Sequence, residues 1–181
     1  MKATPEQWLE FTARALAWTG LLKADAVGWL APIISEGEGR GLPSRDIGKA
    51  IMQHGIAAPD ADAASLGIHR RFQTGAAYID ALTDLGRAKA ERAAELVAHR
   101  ALGNFYHWRT FARTPRGFSE VRIVTVGDRR TCAAGLLLNE QLFPRGTEPV
   151  FPLIECDAEM CRCTYQMLTP RLRERILRRT R

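Results

Sequence analysis

The 181-residue sequence predicts an α+β protein: a mostly helical N-terminal two-thirds, then a small C-terminal α+β unit. Three observations predict it. Apolar residues recur at helical spacing through the first 112 residues, with caps and breakers between the runs. Beyond Gly117 the pattern changes to alternation, the mark of a half-buried strand. All four cysteines, Cys132, Cys156, Cys161 and Cys163, lie past that change.

The elements follow in order. Thr4 caps a first helix with Pro5 at its first position, and Gln7 reaches back to complete a capping box. Trp8, Phe11, Ala15 and Trp18 repeat along it, and Gly20 stops it. A second helix covers about Asp25 to Ser35, broken by Gly37, Gly39 and Gly41. Ser44 caps a third, Arg45 to Gln53, that ends at Gly55 with Ile47 and Ile51 inward. Residues 56–68 are small and acidic and read as a linker or loop, with helix resuming near Arg70.

A long Ala-rich helix over 87–112 places Ala93, Val97, Ala101, Phe105 and Trp108 on one face, and Thr114-Pro115-Arg116-Gly117 ends it. Residues 119–126 form a strand with Val121, Ile123 and Thr125 on one side, and Gly127-Asp128 turns the chain. A short helix from Thr131 to Leu138, a small strand at Leu142-Phe143, a strand from Arg162 to Met167 and a helix opened by Thr169-Pro170 complete the layout. This gives a helical unit over 1–55, a linker and long helix over 56–117, a cysteine-bearing unit over 118–169 and a basic helix or tail over 170–181.

Composition excludes some function classes. Hydrophobic residues are 46% and charged residues 25%, ordinary for a folded domain. No apolar run approaches the ~20 residues of a membrane span, and the start has no apolar signal core. Neither membrane insertion nor signal-peptide export is expected. The net charge of +6 is concentrated: residues 170–181 alone carry six arginines against one glutamate. Arg171, Arg173, Arg175, Arg178, Arg179 and Arg181 are therefore the candidate contacts to duplex DNA or to a protein partner. The alternative is an amphipathic helix docked by Leu168, Leu172 and Ile176 with its arginines simply solvated.

Clustered cysteines in a chain without an export signal favour metal or thiol chemistry over disulfides. The spacing is C-x23-C-x4-C-x-C. Four thiolates suit one tetrahedral structural zinc, for which Cys132, Cys156, Cys161 and Cys163 are the ligand candidates. Metal-free core thiols are the competing reading. Cys132 as a nucleophile ranks lower, because no histidine stands near it in sequence to act as base. Elsewhere, His99 and His107 are eight residues apart, too far to chelate one metal within a helix, and read as structural. Gly37-x-Gly39-x-Gly41 follows a helix, so it reads as a turn and not a dinucleotide site. Glu155, Asp157 and Glu159 read as solvated loop carboxylates.

Several motifs stand in a fixed order. Glu91 to Ala98 is an Arg-Ala-Glu-rich helix that leads through an aromatic stretch, Asn104 to Trp108. A strand follows, then an Asp-x-x-x-Cys turn from Asp128 to Cys132, then Asn139 to Pro144 ending in Phe-Pro. A proline-containing loop and Cys161-Arg162-Cys163-Thr164 close the set. In these features segment 91–165 resembles the phage Mu F-like head morphogenesis (minor head protein) family, and Ile34 to Met52 is similar to its upstream helix-turn-helix. The chain departs from that pattern at Gly135, where the family has the second cysteine of C-x2-C. It departs again at Cys156, which replaces a histidine at a longer spacing.

The resemblance implies a double-stranded DNA phage or prophage origin. It also implies a non-enzymatic structural role at the portal or capsid interior during assembly or DNA delivery, in the virion or the host cytoplasm. No small-molecule substrate is implied. The alternatives are a zinc-containing nucleic-acid-binding regulator and, less favoured, a thiol enzyme using Cys132.

Overall fold

The computed structural model describes residues 2–69, 72–113, 118, 120–153, 155–156 and 161–179, and the backbone alone at 113 and 176–179. The expected return of helix at Arg70, the stop over 114–117, and the acidic Asp157 and Glu159 lie outside the described residues. The fold is α+β, with a three-stranded antiparallel sheet near the C-terminus. Contacts divide the chain into two compact units, residues 1–106 and 107–181. The boundary falls inside the long helix rather than at its end.

In the first unit, helix α1 (Pro5–Thr19) carries the expected capping box between Thr4 and Gln7, and Gly20 closes it in the left-handed conformation. Trp8, Phe11, Ala15 and Leu16 are buried, and Trp8 stacks on Phe105 with ring centroids 4.7 Å apart. Helix α2 (Val27–Gly39) runs through Gly37, one of the glycines expected to break it. The reason is packing. A Cβ at Gly37 would meet Ile47 Cγ1 at 2.5 Å, so the bare backbone lets α3 (Ser44–Met52) lie close. Gly41, with φ +71°, is where the chain turns away.

Ser44 is the first residue of α3 and buried, with Pro43 at the cap position and no side-chain capping bond. The anticipated linker contains a short helix, α4 (Asp60–Ser65), that buries none of its residues, and Ile68 beyond it is buried. Helices α5 (Ala76–Ala81) and α6 (Asp84–Arg87) follow. Helix α7 (Ala90–Arg113) is the long helix expected, and Ala93, Val97, Ala101 and Phe105 line its buried face. The buried Asn104 donates through Nδ2 to the Phe11 carbonyl, 3.0 Å, tying α7 to α1.

The second unit begins with the last turns of α7. Strand β1 (Glu120–Val124) is central, flanked by β2 (Leu142–Pro144) and β3 (Thr164–Met167), both antiparallel. Val121 pairs with Phe143 and Met167, and Ile123 pairs with Tyr165. Val121 and Ile123 are fully buried, as their alternation requires. Helix α8 (Ala133–Leu138) lies between β1 and β2 in sequence, and α9 (Pro170–Arg179) ends the described chain. Thr169 caps α9, its hydroxyl accepting the Leu172 N–H at 3.1 Å.

Candidate metal centre

The centre is built by three stretches of chain. Gly127, with φ +70°, turns the chain out of β1. The Asp128 carboxylate then accepts the Arg130 N–H at 3.0 Å and the Thr131 hydroxyl at 3.3 Å. This Asx-type turn sets the following residues to begin α8. Cys132 is the cap residue, and its sulfur accepts the Gly135 N–H at 3.1 Å.

Cys156 follows a turn after Leu153, and Cys161 and Cys163 lie just ahead of β3. The expected strand over 162–167 starts later, at Thr164, so strand alternation does not align Cys161 with Cys163. Packing does. Cys156, Cys161 and Cys163 all lie against the buried cluster of Ile123, Phe151 and Leu153.

The sulfurs lie in a chain of neighbours, Cys132 by Cys163, Cys163 by Cys161 and Cys156, and Cys161 by Cys156. A hydrogen bond from Cys156 holds the Cys161 thiol below the ordinary cysteine range, against an opposing effect of burial. Burial raises the Cys163 thiol, and the nearby Cys132 and Cys156 sulfurs add to that by resisting a further negative charge. Cys163 is also in hydrogen-bonding contact with Cys161 and Cys132. None of the four forms a disulfide, and Cys132 is only 6% exposed. Among the described residues no group of three or more His, Cys, Asp or Glu side chains stands ready-made to hold a metal ion. Hydrogen bonds link Cys156 with Cys161, Cys161 with Cys163, and Cys163 with Cys132.

Gly135 was the apparent gap in the ligand pattern. A Cβ there would meet Cys163 Sγ at 2.7 Å and Cys132 Sγ at 3.1 Å. The absent side chain is what lets Cys163 approach Cys132.

Around the thiols a second set of groups fixes the unit. The Tyr165 hydroxyl donates to the Pro149 carbonyl at 2.6 Å and accepts the Phe151 N–H at 3.1 Å. Its ring packs on Phe151 and, edge to face, on Phe111. His107 Nε2 lies 3.4 Å from Glu148 Oε1, and Glu148 Oε2 accepts the Gly146 N–H at 2.6 Å. The Tyr165 and His107 contacts escaped the sequence because they join residues 14 or more positions apart in the chain or, for Glu148 with His107, 41 apart. The one signal available was the aromatic Tyr165 directly after Cys-Arg-Cys-Thr.

The tail arginines divide. Arg173 is bound to Glu120 at the start of β1. Arg171 and Arg175 are exposed, and with Thr169, Leu172 and Glu174 they line an open groove of about 410 Å³. Arg178 and Arg179 lie in α9 without described side chains, and Arg181 is outside the described residues. Among the described residues no helix is long and apolar enough to cross a membrane. Compared with family models, curated proteins and solved structures, the chain matches none.

Proposed function

We propose that the chain is a non-enzymatic structural protein of a phage or prophage head, acting at the portal or capsid interior during assembly or DNA delivery. One observation carries the reading: the ordered motifs from Glu91 to Thr164, ending in Asp-x-x-x-Cys and Cys-Arg-Cys-Thr. Two structural facts support it. Those last two motifs, 29 residues apart from Cys132 to Cys161 in sequence, meet in one unit through the Arg162–Asp128 ion pair. Cys132 is buried, which suits a packing or ligand role better than attack on a substrate.

The test is assembly. The neighbouring genes are identified, the full chain is co-expressed with the portal and major capsid proteins found among them, and procapsids are isolated by sedimentation. The protein should travel with procapsids at a few copies per particle and bind the isolated portal. Absence from procapsids and portal alike, or neighbouring genes that encode no head proteins, would overturn the reading.

The exposed Arg171 and Arg175 favour a second reading, a nucleic-acid-binding regulator. Sequence-specific protection of its own promoter, with no portal binding, would select that reading over the first.

A further inference from the structure

Cysteine is a common small core residue, so four thiols in one unit need no ligand by themselves. Three facts separate this cluster from ordinary filler. The sulfurs come from three stretches of chain yet contact one another, Cys132 with Cys163, Cys163 with Cys161 and Cys161 with Cys156. Apolar filler has no reason to pair sulfur with sulfur.

Gly135 is the second fact. Glycine inside a helix costs about 0.5–1 kcal/mol relative to alanine, and two of the three atoms nearest its absent Cβ are the sulfurs of Cys163 and Cys132. The space is kept open for thiols. The third fact is the size of the unit. Among the described residues of 107–181, the buried hydrophobic side chains apart from Cys132 are Val121, Ile123, Phe151, Leu153 and Leu168, with Cys156, Cys161 and Cys163 packed on Ile123, Phe151 and Leu153. Units of ~70–80 residues with so little core usually carry a metal or disulfide staple, and no disulfide is present here.

We infer that Cys132, Cys156, Cys161 and Cys163 bind one structural zinc ion as a closed four-thiolate site, with Gly135 leaving the space that Cys163 needs. On binding, four S–H bonds break and four zinc–sulfur bonds form. The protons pass to solvent and no electrons are transferred. Soft thiolates select zinc over hard cations, and four of them leave no open position for catalysis. The Gly135 N–H already donates to Cys132 and supports its anionic form. The inference goes beyond the phage-head reading and does not depend on it: a metal-free protein could still bind the portal, and a zinc protein could fail to.

The full chain, expressed with zinc in the medium, is analysed for zinc and iron and titrated with an alkylating reagent before and after chelation. One zinc per chain is expected, with four thiols protected until the metal is stripped. Cobalt(II) exchanged into the site should give a thiolate charge-transfer band that falls by about a quarter in C163S. Gly135→Ala should weaken metal affinity at least tenfold while the far-ultraviolet signal of the helical first unit persists. Wild-type stoichiometry and thiol protection need no variant, so a misfolded mutant does not blunt the test. Folded protein with no metal and four freely titrating thiols would overturn the inference. So would iron in place of zinc, or C163S holding zinc as tightly as the wild type.

Discussion

Arg162, the residue between Cys161 and Cys163, forms an ion pair with Asp128, which stands four residues before Cys132. The pair ties the stretch that supplies Cys161 and Cys163 to the turn that supplies Cys132. Desolvation works against ionisation of Asp128, yet hydrogen bonds from the Arg130 N–H, the Arg162 guanidinium and the Thr131 hydroxyl hold its carboxyl below the ordinary range. A depressed carboxyl stabilises the fold above its unfolded pKa, and that contribution is lost as pH falls through the folded value. Asp128→Asn should therefore melt earlier than the wild type at neutral pH. The gap should close in acid below the usual carboxylate pKa, as read by thermal melts across pH. An equal gap at every pH would show that the charge is irrelevant.

His99 on α7 is partly buried beside Arg100, and desolvation first, then that charge, pushes its pKa down to about 4. The folded state resists protonation that the unfolded chain accepts near pH 6.5. Stability is then unaffected above 6.5 and declines as pH falls from there to about 4, by on the order of 3 kcal/mol in total. His99→Gln should flatten that part of the profile in urea titrations between pH 4 and 7. An unchanged slope would assign the acid sensitivity to other groups.

Two helical glycines should respond to alanine with opposite signs. A Cβ at Gly48 would come within 2.8 Å of the Glu95 backbone, which cannot move aside as a side chain can. Gly48→Ala should cost about 1–3 kcal/mol, the usual range for overpacking. Gly28, near the start of α2, has nothing within 4 Å of its Cβ position. Gly28→Ala should stabilise by about 0.5–1 kcal/mol through helix propensity. Denaturant midpoints of the two variants measure both.

The tail arginines should separate by role. By helical period, positions 171, 175, 178 and 179 fall within about a 100° arc of α9, with 173 on the far side. In duplex DNA binding followed across a salt series, R171A/R175A should reduce the slope of log affinity against log salt by about 1.8, at ~0.9 per lost phosphate contact. R173A should leave the slope unchanged and lower the melting temperature, because Arg173 is engaged with Glu120. No binding even in low salt would remove DNA as a partner of α9.

Local chemistry made much of this legible. The Thr4–Gln7 box, the Thr169–Pro170 start, the Gly20 stop and the buried stripe of α7 are decided within a few residues, and each stands where the sequence placed it. Cys132 at the head of α8 belongs with them. Glycine was the less readable letter, because its local meaning is a break while its tertiary meaning is room. Gly37 makes room for Ile47 inside a continuous helix, and Gly135 makes room for Cys163.

The sequence by itself therefore determined the α+β class, the starts of α1 and α9, the buried stripe of α7 and the gathering of all four cysteines into the C-terminal unit. Only the tertiary structure decided that the cysteines meet, that Arg162 reaches Asp128, and that Arg173 is taken by Glu120 while Arg171 and Arg175 stay exposed. Contacts between residues 34 and 53 positions apart, such as Arg162–Asp128 and Arg173–Glu120, depend on how β1 and β3 pair, and the approach of Cys163 to Cys132 depends on a side chain small enough to let another pass; neither is encoded in a local period.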